Sequence, residues 1–123
     1  MVARQLLLWM IMACGALMLG PVKPIADLIL PSDWSAHIVA LFCVTSVLSA
    51  AYPAWSLKRT WAMAVFLGVS LELAQGLMGR DLELSDILAN TVGASLALAP
   101  LVISAGVAAL LDDQATSGAL HGS

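Results

Sequence analysis

The chain has 123 residues, 61% of them hydrophobic and only 11% charged, against about 25% charged in an average soluble domain. With a mean hydropathy of +0.96 it reads as a membrane protein. A net charge of −3, with only five Lys plus Arg, leaves too little positive potential to follow a phosphate backbone, which excludes nucleic-acid binding.

The charges cluster at boundaries. Between them lie charge-free runs of 18 residues (5–22), 24 residues (34–57) and 25 residues (87–111), and a 20-residue run (60–79) interrupted only by Glu72. At about 1.5 Å per residue each is long enough to cross a hydrocarbon core of roughly 30 Å. The pattern predicts an all-α integral membrane bundle, residues 1–111, with four transmembrane helices near 5–22, 34–53, 60–79 and 86–111.

The first helix follows Arg4. Ile11-Met12-Ala13-Cys14 loosely resembles a lipoprotein cleavage site, but an apolar region ending before Cys14 is short for a signal peptide, so the segment is read as a retained helix. Cys14 and Cys43 lie inside apolar runs and are read as small buried hydrophobes, not as a disulfide. The loop 21–33 holds Pro21, Pro24 and Pro31 and is not one continuous helix, though Ile25 to Leu30 can lie in the interface. Ser32-Asp33 and Ser85-Asp86 stand where the second and fourth helices should begin. Each supplies an N-cap hydroxyl and an anion near the positive end of the helix dipole. Lys58-Arg59, flanked by Trp55 and Trp61, mark a cytoplasmic boundary between the second and third helices. With Arg4 they make three inner cations against two outer ones, Lys23 and Arg80, which predicts N-in, C-in. In the fourth helix Ala89, Gly93 and Ala97 form a small-residue ridge for close helix packing, and Pro100 should kink the helix. The tail, 112–123, is polar and rich in small residues and is expected to be disordered.

This topology brings the intramembrane polar residues to one depth. Glu72 lies about 10 Å below the outer end of the third helix, with Gln75 one turn above it on the same face. His37 and Asn90 each lie about 6 Å below an aspartate, Asp33 and Asp86. Arg80, Asp81 and Glu83 close the arrangement from the connecting loop. The candidate binding residues are therefore Asp33, His37, Glu72, Gln75, Arg80, Asp86 and Asn90. Plainer roles exist for most of them. Asp33 and Asp86 can serve as helix-start anions, Asn90 as interhelical glue, His37 as a partner for a backbone carbonyl, and Arg80 as a snorkelling cation. Glu72 with Gln75 is the pair least readily explained as structural, because a carboxylate near a membrane helix centre costs about 2.5–3.5 kcal/mol on insertion scales. There is no phosphate-cradling loop, no zinc spacing and no nucleophile elbow, so neither a metal nor a cofactor is implied. The six methionines read as packing.

Glu72-Leu-Ala-Gln75, then Gly79-Arg80, then Asp86-Ile-Leu-Ala-Asn90-Thr-Val-Gly93 closely resembles the signature of the VanZ-like family of small bacterial membrane proteins. Asp33-x-x-x-His37 followed by Phe42 is similar to that family's second element, so the resemblance spans 33–93, about half the chain. Two positions depart from the pattern: Trp34 stands where a Lys often follows the Asp, and Ala97 where Gly is more usual. The resemblance implies a four-helix protein of the bacterial inner membrane, its polar signature toward the outer face. The family takes its name from an accessory determinant of teicoplanin resistance. The function expected is binding of an envelope component, such as a lipid-linked precursor, in an outer-face pocket. The alternatives are a small membrane enzyme using Glu72 and His37 as acid and base, and a structural helix bundle that partners larger envelope proteins. The expected partners are the lipid bilayer and such a precursor or other membrane proteins.

Overall fold

The computed structural model describes residues 2–19, 33–79 and 81–121. Among these the chain forms four α-helices and no strand: α1 (Val2–Leu19), α2 (Asp33–Ala51), α3 (Leu57–Leu77) and α4 (Leu84–His121). The expected proline-rich loop, with Lys23 and the Ser32 cap, lies outside the described residues.

The helix ends differ from those the charge pattern suggests, for local reasons. α3 starts at Leu57 because Ser56, in an extended conformation, accepts a hydrogen bond from the Arg59 amide at 3.3 Å and caps the first turn. At its other end the Met78 amide donates to the Ala74 and Gln75 carbonyls, and Gly79 turns the chain at φ +84°, a conformation that only glycine adopts without strain. α4 begins at Leu84, so Ser85 is not its cap. The Ser85 hydroxyl instead donates to the Glu83 carboxylate at 3.0 Å, while Asp86 occupies the first turn near the positive end of the dipole.

α4 also runs past the predicted end at 111. Residues 112–121 are helical where a disordered tail is expected. From Leu101 to Ser117 there is no proline and only one glycine, Gly106, and the Thr116 and Ser117 hydroxyls fold back onto the Asp112 and Gln114 carbonyls. Pro100 lies inside the helix, which continues on both sides of it.

α2 is the central element. It packs most extensively on α4 and also against α1 and α3. The contact between α2 and α4 depends on small residues: Ala89, Gly93 and Ala94 are buried, and a Cβ added at Gly93 would clash with the carbonyl oxygen of Ile38. The apolar core, Leu7, Val44, Leu48, Ala51, Ala64 and Ala94, draws on all four helices. Leu6, Trp9, Phe66, Leu73, Leu96 and Ile103 are exposed around it, an outward apolar surface suited to lipid and not to water. Three segments, Trp34–Ala51, Leu57–Leu77 and Leu84–Ser117, are long and apolar enough to cross a membrane. α1 presents a shorter apolar helix, Val2–Ala16, among the described residues. The serine and threonine hydroxyls of Thr45, Ser46, Ser70 and Ser95 donate to carbonyls one turn back, as hydroxyls in apolar helices do.

Candidate functional site

The buried residues of α3 are Thr60, Ala64, Gly68, Glu72 and Gln75. Their spacing of four, four, four and three makes a single stripe along the helix, and that stripe carries Glu72 into the bundle. His37 comes from the second turn of α2, and Asp86 and Asn90 lie one turn apart at the start of α4. Three helices thus deliver four polar side chains to one place.

The imidazole of His37 is central to the cluster. Its Nδ1 lies 3.1 Å from Asn90 Oδ1 and 3.2 Å from Glu72 Oε1, and its Nε2 lies 3.5 Å from Asp86 Oδ2. The Asn90 amide nitrogen donates to the Gly68 carbonyl at 3.4 Å, which fixes which way the amide points. Gly68 makes that approach feasible, because a Cβ there would sit 3.0 Å from Asn90 Cβ. Glu72 and Asn90 are each 1% exposed and are, among the described residues, the two largest fully buried side chains, whereas the Asp86 side chain is 16% exposed and opens the cluster toward its end of the bundle. Gln75 is buried one turn beyond Glu72. An imidazole with a carboxylate oxygen near each nitrogen can donate, accept or relay a proton between a buried and a more accessible carboxylate.

Five of the seven candidate residues are described with their side chains. His37, Glu72, Asp86 and Asn90 meet directly, and Gln75 is buried beside them. Asp33 opens α2, but its side chain lies outside the described residues, as does the whole of Arg80. Asp81 and Glu83 are exposed in the connection between α3 and α4. Of the packing ridge, Ala89 and Gly93 are buried and Ala97 is half-buried.

Several features have no counterpart in the sequence reading. Trp34 Nε1 donates to the Ser85 carbonyl at 3.0 Å and ties the start of α2 to the start of α4. Trp61 Nε1 donates to Ser95 Oγ at 3.0 Å across α3 and α4. A cavity of about 280 Å³ opens between α1, α2 and α3, lined mainly by apolar groups including Ile11, Leu41, Val44, Leu67 and Leu71. Gly68 lines it too, so this apolar space adjoins the polar cluster. The position of Gly68, four residues before Glu72 on the same face, is a sequence signal that could have pointed there. The opposite end of the bundle has another character: Tyr52 and Trp55 stack with ring centres 4.4 Å apart, with Arg4 over Tyr52 and Arg59 over Trp55. No protein-family model, curated protein or solved structure matches the chain.

Proposed function

We propose that this is a VanZ-like, multi-pass protein of the bacterial cytoplasmic membrane, with all four helices spanning, both termini inside, and its polar cluster in the outer leaflet. In this reading the cluster binds the headgroup of a lipid-linked envelope component, in an accessory role like that of glycopeptide-resistance determinants. The observation that carries it is the burial of His37, Glu72, Gln75 and Asn90 toward one end of a bundle whose other buried polar groups, among the described residues, are the hydroxyls of Thr45 and Thr60, with Asp86 partly open beside them. Burying polar and charged groups in a bilayer is costly, and well-packed apolar residues would hold four helices together at least as well. The adjoining apolar cavity supports the same reading, since a lipid-linked ligand needs room for a hydrocarbon chain next to its polar head.

The test is to purify the protein in a mild detergent and identify co-purifying lipids by mass spectrometry for wild type, Glu72→Gln and Arg80→Ala. Selective loss of one polyprenyl-linked species from the variants is the expected result. Retention of the same lipids by all three proteins overturns the reading and leaves the scaffold role ahead. A second reading, a membrane enzyme, draws on the 3.2 Å approach of His37 Nδ1 to Glu72 Oε1, a distance at which the two can exchange a proton during acid–base chemistry.

A further inference from the structure

The geometry around His37 carries an assignment that sequence spacing does not reveal. Ligand atoms from His37, Glu72 and Asp86, one from each residue, lie within 4.8 Å of one another. The finer arrangement is more specific. Because the Asn90 amide nitrogen is committed to the Gly68 carbonyl, Asn90 Oδ1 faces His37 Nδ1, and Glu72 Oε1 converges on the same nitrogen. One N–H points along one line and cannot serve two oxygens equally well. A cation in its place serves the nitrogen and both oxygens together.

The two separations from Nδ1 fit that role. Two ligand atoms each about 2.1 Å from a first-row metal ion stand about 3.0–3.4 Å apart in octahedral or tetrahedral geometry. The Nδ1 to Oδ1 and Nδ1 to Oε1 distances are 3.1 and 3.2 Å. On the far side of the ring, Nε2 faces the Asp86 carboxylate at 3.5 Å. A metal-ligating histidine usually has such a partner, in which the outer carboxylate holds the second N–H and so fixes both tautomer and ring orientation. The charges also balance. Two carboxylates, a neutral imidazole and a dication sum to zero, whereas the carboxylates with an imidazolium leave a net negative charge in a low-dielectric bundle.

We infer that His37 Nδ1, Glu72 Oε1 and Asn90 Oδ1 form a binding site for a divalent first-row metal ion, with Asp86 orienting the imidazole. One nitrogen and two oxygens suit zinc, manganese or ferrous iron and not a soft monovalent copper ion. The site lies inside the proposed headgroup pocket, so the assignment deepens that reading. It rests on it only for the ion's purpose, which is to bridge the cluster to a ligand phosphate.

The test uses the full chain without a histidine tag, stripped with a chelator and titrated in detergent with Zn2+, Mn2+ and, for its visible absorption, Co2+. Wild type is expected to take up one ion per chain and to unfold at a higher temperature with it. Asp86→Asn should weaken binding by about 10–100-fold, as loss of an outer carboxylate does elsewhere, and Glu72→Gln by more. His121→Ala should change nothing. Failure of wild type to bind any of the three ions, a result that needs no variant to fold, overturns the assignment. So does binding by Glu72→Gln that matches wild type in a protein with unchanged helical circular dichroism. Lipid analysis on the same preparations separates the two ideas: an ion-free protein that still loses its lipid on Glu72→Gln retains the headgroup pocket without the metal.

Discussion

At the residue scale Glu72 decides between a site and a scaffold. Its carboxylate is 1% exposed and lies 3.2 Å from His37 Nδ1, so its removal would ordinarily be expected to strand a partner. Here Asn90 Oδ1 stays 3.1 Å from the same nitrogen, and the ring keeps an acceptor when Glu72 is lost. Glu72→Leu should therefore unfold in detergent at the same or a higher temperature than chelator-treated, ion-free wild type, since a desolvated carboxyl is replaced by an apolar side chain, while its lipid retention is lost. A fall in stability of about 3 kcal/mol or more would identify Glu72 and His37 as a structural pair instead. The chemistry-bearing residues were legible because a carboxylate, an amide and an imidazole stand out in charge-free helices. Their mutual geometry was not, because His37, Glu72 and Asp86 come from three helices and no local spacing relates them.

At the scale of elements, the four helices could be read from the charge-free runs, but their ends could not. Ends are set by capping, and the caps at Ser56 and Gly79 involve uncharged residues that a charge map passes over. The end of α4 is likewise not set by charge: the helix runs on through Asp112 and Asp113 to His121, with the Thr116 and Ser117 hydroxyls bonded back to the Asp112 and Gln114 carbonyls. The ridge of small residues was legible, and it yields a sharp prediction about how α4 seats on α2. At Gly93 the obstacle to a Cβ is the backbone oxygen of Ile38, which cannot swing aside as a side chain can. Gly93→Ala should therefore cost about 1–3 kcal/mol in detergent unfolding as the helices are forced apart. Gly15→Ala, with nothing within 4 Å of the new Cβ, should be neutral or slightly stabilising through helix propensity. Equal effects at the two glycines would mean that close approach of α2 and α4 does not hold the bundle together.

At the scale of the whole molecule the bundle has two unlike ends. Tyr52 follows the last residue of α2, 15 residues and about 22 Å of helix beyond His37. Around Tyr52 and Trp55 gather Arg4 and Arg59, each over an aromatic ring, in the manner of a membrane boundary with basic residues and amphipathic rings. At the other end the described charges are Asp81 and Glu83 in the connection and Glu72 and Asp86 in the cluster. A bias of Lys and Arg toward one end governs insertion more than acidic residues do, so the end with Arg4, Lys58 and Arg59 should remain in the cytoplasm and the polar cluster should face outward. Impermeant thiol labelling can decide this with single cysteines at Ala54 and Asp81, after Cys14 and Cys43 are replaced by alanine. Ala54 is preferable to Ser56, since it is exposed in the same turn and does not cap α3. In intact cells position 81 should label and position 54 should label only after the membrane is opened; the reverse pattern would put the His37 cluster on the cytoplasmic side, where no outer-leaflet envelope component could reach it.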